Sequence, residues 1–168
     1  MIRGTLSALC VVAVVGCGGH ASSLNLKGTA GAKISHAADV AVPSTVLGLS
    51  VTQEDVSKSL ANAQRSYIES LVMYGMRADS LLQATFQVSR FNPGTKYTAD
   101  KFQLALVDQI GTATPFTATV GGTRVFLTSG NRQNISVWFK GPYFFVLATR
   151  QDFGSPRALL RELIAVNP

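Results

Sequence analysis

The sixteen residues ISVWFKGPYFFVLATR, Ile135 to Arg150, constrain the fold of this chain more than any other stretch. Two runs with strand-forming side chains flank Gly141-Pro142, a two-residue turn signal. Side chains alternate between faces with period two, so the turn sets Phe139 opposite Phe144, Val137 opposite Val146 and Ile135 opposite Ala148. One face of this hairpin is wholly apolar. The other pairs Trp138 with Phe145, Ser136 with Leu147 and Lys140 with Tyr143. Next, Ser155 is placed to cap a helix whose first residue is Pro156, and Leu159, Leu160, Leu163 and Ile164 form one helical stripe. The expectation is that this closing helix lies on the face carrying Val137, Phe139, Phe144 and Val146.

Ahead of this unit the texture alternates between helical and extended. Thr52, followed by Asp55, with Val51 and Val56 at the staple positions, predicts a helix over about Gln53 to Gln64. Strands follow over Leu71–Met76 and Leu82–Ser89, with a turn at Arg77 to Ser80. In the second strand Leu82, Ala84, Phe86 and Val88 read as the buried face, and Gln83, Thr85, Gln87 and Ser89 as the wet one. Phe91-Asn92-Pro93-Gly94 ends it, and a helix is expected from about Ala99 to Ile110, stopped by Gly111. Gly121-Gly122 then marks a hairpin, with Phe116, Ala118, Val120, Val125 and Leu127 facing inward and Thr117, Thr119, Arg124 and Phe126 outward. LVMYGMRADSLLQATFQVSRF and ISVWFKGPYFFVLATRQDF, each followed by a helix, form a weak internal repeat. The implied fold class is α+β: a mainly antiparallel sheet of about six strands with helices covering one face.

With 168 residues, 46% of them hydrophobic, the chain has the length and the apolar content for one core. Its start, MIRGTLSALCVVAVVGCGG, places Arg3 before an apolar run too short to span a bilayer, which reads as a secretory signal peptide. Val14-Val15-Gly16-Cys17 resembles the lipobox of bacterial lipoproteins. That resemblance implies cleavage before Cys17, diacylglycerol on its sulfur, and a position on the outer side of the cytoplasmic membrane. Two or more acyl chains suffice for stable anchoring, at about 0.8 kcal/mol per buried methylene. The expected organisation is a signal peptide over 1–16, a flexible Gly/Ala/Ser-rich tether over 17–46 and a single α+β domain over 47–168.

Cys10 leaves with the signal, so the expected mature chain holds one cysteine and can form no internal disulfide or cysteine metal site. His20 and His36, the only histidines, lie in the tether, which argues against a Ser-His-Asp triad or a histidine metal site in the fold. No phosphate-binding glycine loop or metalloprotease motif occurs, and the expectation is a protein without metal or cofactor. Removal of Arg3 lowers the formal net charge from +6 to +5, which favours anionic neighbours such as phospholipid headgroups or wall polymers. No basic run reads as nucleic-acid binding. Arg90 and Arg150 hold similar places in the two repeat units; either they bind an anionic group together or each pairs locally.

LLQATFQVSRFNPG, GGTRVFLTSG, NISVWF and PRALLRELI also resemble a group of secreted or lipid-anchored actinobacterial proteins of unassigned function. This resemblance implies a compartment and no activity. Three functional readings stand: a lipid-anchored binding module for an envelope protein, lipid or wall component; a carrier of a hydrophobic ligand; and an enzyme working without histidine. For the module, Trp138, Phe145 and Phe126 are the candidate partner-binding surface, grouped by alternation on the face the closing helix does not need. The alternative for that face is structural, with the tether or the segment around Val46 to Leu49 folding back over it.

Overall fold

The computed structural model describes Val40, residues 42–55 and residues 68–166. The strands are β1 (Thr45–Val46), β2 (Leu49–Glu54), β3 (Ile68–Ala78), β4 (Leu81–Phe91), β5 (Phe116–Val120), β6 (Thr123–Gly130), β7 (Gln133–Lys140) and β8 (Tyr143–Arg150). Two helices complete the described elements, α1 (Asp100–Ile110) between β4 and β5 and α2 (Pro156–Ala165) after β8. The fold is a sheet-rich α+β arrangement with one eight-stranded antiparallel sheet, ordered β1-β2-β3-β4-β8-β7-β6-β5. It is two four-stranded meanders. The first runs inward from one edge to β4; α1 then carries the chain to the far edge, and the second meander returns to dock β8 against β4.

Local chemistry explains most of the turns. Gly121 and Gly122, with φ of 55° and 79°, supply the left-handed pair that a tight hairpin needs. The register between β7 and β8 is the one alternation predicts, including Phe139 with Phe144, Trp138 with Phe145 and Lys140 with Tyr143. Pro156 opens α2 after Ser155, whose side chain makes no capping hydrogen bond. The cap there is positional.

The two helices pack into different cores. Leu159, Leu160, Leu163 and Ile164 of α2 cluster with Val125, Trp138, Phe145, Leu147, Phe86, Tyr74 and Met76. Leu106, Val107 and Ile110 of α1 cluster with Phe126, Ile135, Val137, Phe144, Val146 and Ala148. Because these sets alternate along β7 and β8, they lie on opposite faces of the sheet. The expectation that helices cover one face is therefore corrected, and so is the placing of α2: it packs on the Trp138 face, not the Phe144 face. The physical reason is that both faces of the hairpin are apolar enough to need cover, and each helix can cover only one.

Other expectations also shift. The sheet has eight strands and not about six, because β1 and β2 add an edge. Gln53 and Glu54, assigned to a helix, belong to β2, where Leu49 and Val51 point into the core and pairing with β3 outweighs the capping signal. Asp55 follows β2 without helical structure; residues 56–64 of that predicted helix, and the signal segment with Cys17, lie outside the described residues. Val40, Val42 and Val46 are buried in the α2-side core, so core packing begins ahead of the Leu47 boundary. Leu82 does not share the face of Phe86, because between the pairs Met76–Ala84 and Arg77–Leu82 the extra residue Gln83 forms a bulge that reverses the alternation. The polar face of β4 is not wet either. Thr85, Gln87 and Ser89 are buried, and the Gln87 amide donates to Ser89 Oγ at 3.0 Å.

Candidate functional site

Trp138, Phe145 and Phe126 are each 1% exposed. They form no open surface. Trp138 and Phe145 stack on each other at 5.1 Å and on Phe86 at 5.8 and 6.0 Å, under α2 and beside Val40, Val42 and Val46. Phe126 lies on the other face, edge-on to Phe139 at 5.8 Å, with the Arg124 guanidinium 4.7 Å from its ring centre. The aromatic recognition surface is thus corrected: a sheet with a helix on either side buries both faces of its central strands, so alternation cannot identify an outward one.

Arg90 and Arg150 do not converge. Arg90 sits beside Tyr143 at the start of β8, whereas Arg150 ends that strand. Seven residues of strand separate the two ends, roughly 23 Å. Arg90 pairs with Glu69, and Arg150 makes a two-toothed pair with Asp152 at 2.7 and 2.5 Å. That hydrogen-bonded partner lowers the Asp152 carboxyl below its ordinary value and raises the guanidinium. The local-pairing alternative is what the structure shows.

What stays open is the corner where the sheet ends at β5. The α2 helix covers the last β5 residue, Val120, but not the first: Phe116, on the same face, is 63% exposed, although the sequence places it inward. Beside it runs a groove of about 540 Å³. Phe116, Ala118, Val120, Leu127 and Leu160 supply its apolar walls, and Ser129, Asn134, Ser136 and Arg157 its polar ones. The guanidinium of Arg157 is exposed and stands in the first turn of α2, where the helix dipole disfavours a cation. Its place is not one that helix stability selects. Hydroxyls, an amide and a guanidinium can orient and bind; a general acid–base pair would need a different set.

A second depression of about 610 Å³ lies between the ends of β4 and β8, lined by Gln83, Gln133, Arg132 and the Arg150–Asp152 pair. Its charges already satisfy one another in part. Among the described residues, no group of three His, Cys, Asp or Glu side chains could hold a metal, and no helix is long and apolar enough to cross a membrane.

Sequence reasoning missed Phe116 and Arg157. Two signals were present in the residues: FTATV is a short predicted strand with neither charge nor proline, and Arg157 opposes the dipole of the helix it starts. Comparison with protein-family models, with curated proteins and with solved structures finds no match.

Proposed function

We propose that this protein is a lipid-anchored extracytoplasmic binding module without catalytic activity, held to the outer side of the cytoplasmic membrane through Cys17, and that its binding place is the β5 corner. The observation that carries the second half is the groove beside Phe116, an apolar trough with one exposed guanidinium on a sheet whose central strands are otherwise filled on both faces. Exposed apolar side chains lining a trough are what binding surfaces retain. The anchor rests on the Val-Val-Gly-Cys motif after a short apolar run. The formal net charge of +5 left after removal of Arg3 from the full chain's +6 suits a surface facing anionic headgroups and wall polymers. No run of basic residues in the sequence reads as nucleic-acid binding. The apolar lining also favours a second reading, a carrier that holds a hydrophobic ligand in the same groove.

Both halves are tested in cells producing the full chain. Wild-type protein is expected in the membrane fraction with incorporated labelled palmitate, and Cys17→Ala is expected to lose both; unchanged partitioning and labelling in that variant would refute the anchor. A photo-crosslinking phenylalanine analogue at position 116 is compared with the same analogue at Asp108, on the exposed side of α1. Adducts specific to position 116 are expected, peptide adducts marking the interaction module and acyl adducts the carrier. If the two positions behave alike, the β5 corner is not the binding place.

A further inference from the structure

The two edges of the sheet differ in what they leave unpaired. At one end β1 has two residues, so little backbone is offered to another strand. At the other end, among the described residues, β5 pairs with β6 alone and presents five residues, FTATV. Edge strands of soluble proteins are blunted with charge, proline or shortness because their free N–H and C=O groups template pairing. The strand β5 uses none of these devices within its length.

The hydrogen-bond phase of that edge follows from its turn. Val120 and Thr123 flank the two-residue Gly121-Gly122 turn, so they form a hydrogen-bonded pair. By alternation Phe116, Ala118 and Val120 direct their backbone groups to β6. Thr117 and Thr119 direct theirs outward. The sequence of the strand is symmetric about Ala118, with a threonine on each side and a large apolar residue beyond each threonine.

We infer that the β5 edge pairs antiparallel with the β5 edge of a second copy of this chain, about a two-fold axis through Ala118. This names the partner at the corner proposed above as the binding place and rests on that reading. In this register Thr117 lies opposite Thr119 of the second copy and Thr119 opposite its Thr117. All four outward N–H groups and all four C=O groups of these residues then meet partners. Sliding the strands by one step toward Pro115 would set Thr119 opposite a residue without an N–H. On the groove face Phe116 comes beside Val120 of the second copy, which covers the large hydrophobic side chain most exposed among the described residues. On the opposite face the cross-strand pairs are Thr–Thr, a favourable combination, and no like charges meet. The contact is isologous, so it closes at two copies. Pairing through one short strand buries less than the roughly 1,200 Å² of a standard interface. The dimer is therefore weak in dilute solution and favoured when both copies are confined to one membrane.

The register gives a specific test. Directly opposed residues in a non-hydrogen-bonded pair have Cα atoms about 4.5 Å apart, within the span of about 4.4 to 6.8 Å that a disulfide bridges. Ala118→Cys in the full chain, in membranes treated with copper phenanthroline as oxidant, is expected to give a disulfide-linked dimer. The yield should be roughly tenfold above that of the unsubstituted chain and of Asp108→Cys. Adding Thr119→Pro, which removes an outward N–H but no bond to β6, is expected to return the yield to the control level with unchanged Trp138 emission; Thr117→Pro serves if Thr119→Pro alters that emission. The inference is overturned if Ala118→Cys links no better than Asp108→Cys, or if a folded proline variant links as well as its parent. Should that happen while position 116 still gives specific photo-adducts, the corner binds something other than a second copy; should those adducts be missing too, the binding place itself is wrong.

Discussion

The two faces of the sheet reach burial by different means. On the α2 side an apolar surface runs without interruption from Val51 on β2 to Val120 on β5, with Tyr74, Phe86, Trp138 and Phe145 stacked near its middle. On the α1 side the β6–β7–β8 portion is equally apolar, with Phe91 against Phe144 at 4.9 Å and Tyr97 at 5.3 Å. Toward β2, β3 and β4 that face turns polar: Thr85, Gln87 and Ser89 are buried there, and Arg77 meets Glu54 at 2.5 Å and Thr52 at 2.9 Å. One side is held by area removed from water, and the other in part by polar contacts such as Gln87 with Ser89 and Arg77 with Glu54. The difference teaches that a buried strand face need not be apolar, provided each polar atom finds a partner.

If the two faces are separate cores, truncations on either side are costly and independent. Phe144→Ala is expected to cost about 3 to 5 kcal/mol, and Leu163→Ala about 2 to 5. Either is a large part of the roughly 5 to 15 kcal/mol of a typical domain. The sharper test combines Ile135→Val on the α1 side with Leu163→Ala on the α2 side in urea unfolding. Additivity within about 0.5 kcal/mol is expected for sites that share no partner. A coupling above about 1 kcal/mol would mean that the sheet transmits packing changes between its faces, and the comparison would fail.

How much of this was legible depends on whether the signal was local. The β7–β8 register followed from a two-residue turn and strict alternation, and every predicted pair is present. The hairpin around Gly121-Gly122 and the span of α1 were readable for the same reason. The face α2 chooses was not. Phe144 and Phe145 are alike to a period-two argument, and the choice is made by α1 occupying one side and Val40, Val42 and Val46 joining the other. Leu82 was misplaced by a single bulged residue, which no composition rule marks. At the site, alternation put Trp138 outside and Phe116 inside, and both reversed because cover depends on where a helix ends. The sole tryptophan makes this checkable: Trp138 emission is expected to be blue-shifted and resistant to iodide, and a red-shifted, quenchable signal would restore the open aromatic face.

The polar half of the α1 side can be broken without touching an apolar residue. Arg77→Met leaves Glu54 half-buried without its partner, and a cost of about 1 to 3 kcal/mol is expected. Gly75 belongs to the same arrangement. A Cβ there would collide with Glu54 Oε1 and stand 2.5 Å from Arg77 Nη1, so Gly75→Ala must push the pair apart. Its loss is expected to match that of Arg77→Met, and the double variant to cost little more than either alone. Full additivity would show that the glycine serves the backbone and not the ion pair.

Tyr74 is the titratable ring stacked on Phe86 in the α2-side core, and its effect is confined to high pH. Burial raises the Tyr74 phenol above the usual 10.0. In the unfolded chain the phenol ionises near its ordinary value, while in the folded chain it holds its proton to a higher pH. The unfolded state therefore binds fewer protons in that window, and stability falls as pH rises past about 10 toward the folded value. Tyr74→Phe is expected to flatten that decline in unfolding curves recorded between about pH 9 and 11. Equal slopes in the two proteins would place the alkaline sensitivity elsewhere.

The smallest effect belongs to the exposed pair at the end of β8. The Arg150 guanidinium lowers the Asp152 carboxyl through a two-toothed hydrogen bond, yet both groups stand in solvent. The sign is that of a carboxylate held ionised by folding: whatever stability the pair supplies is present above the ordinary carboxyl value and lost as pH falls through the lowered one. Solvent screens the attraction and the ordered side chains offset what remains. Asp152→Asn is therefore expected to leave the melting temperature at pH 7 unchanged within error, in contrast to Arg77→Met, where one guanidinium–carboxylate contact is set into the sheet. A drop after Asp152→Asn as large as that after Arg77→Met would show that burial does not separate the two ion pairs, and that the turn after β8 is held by charge.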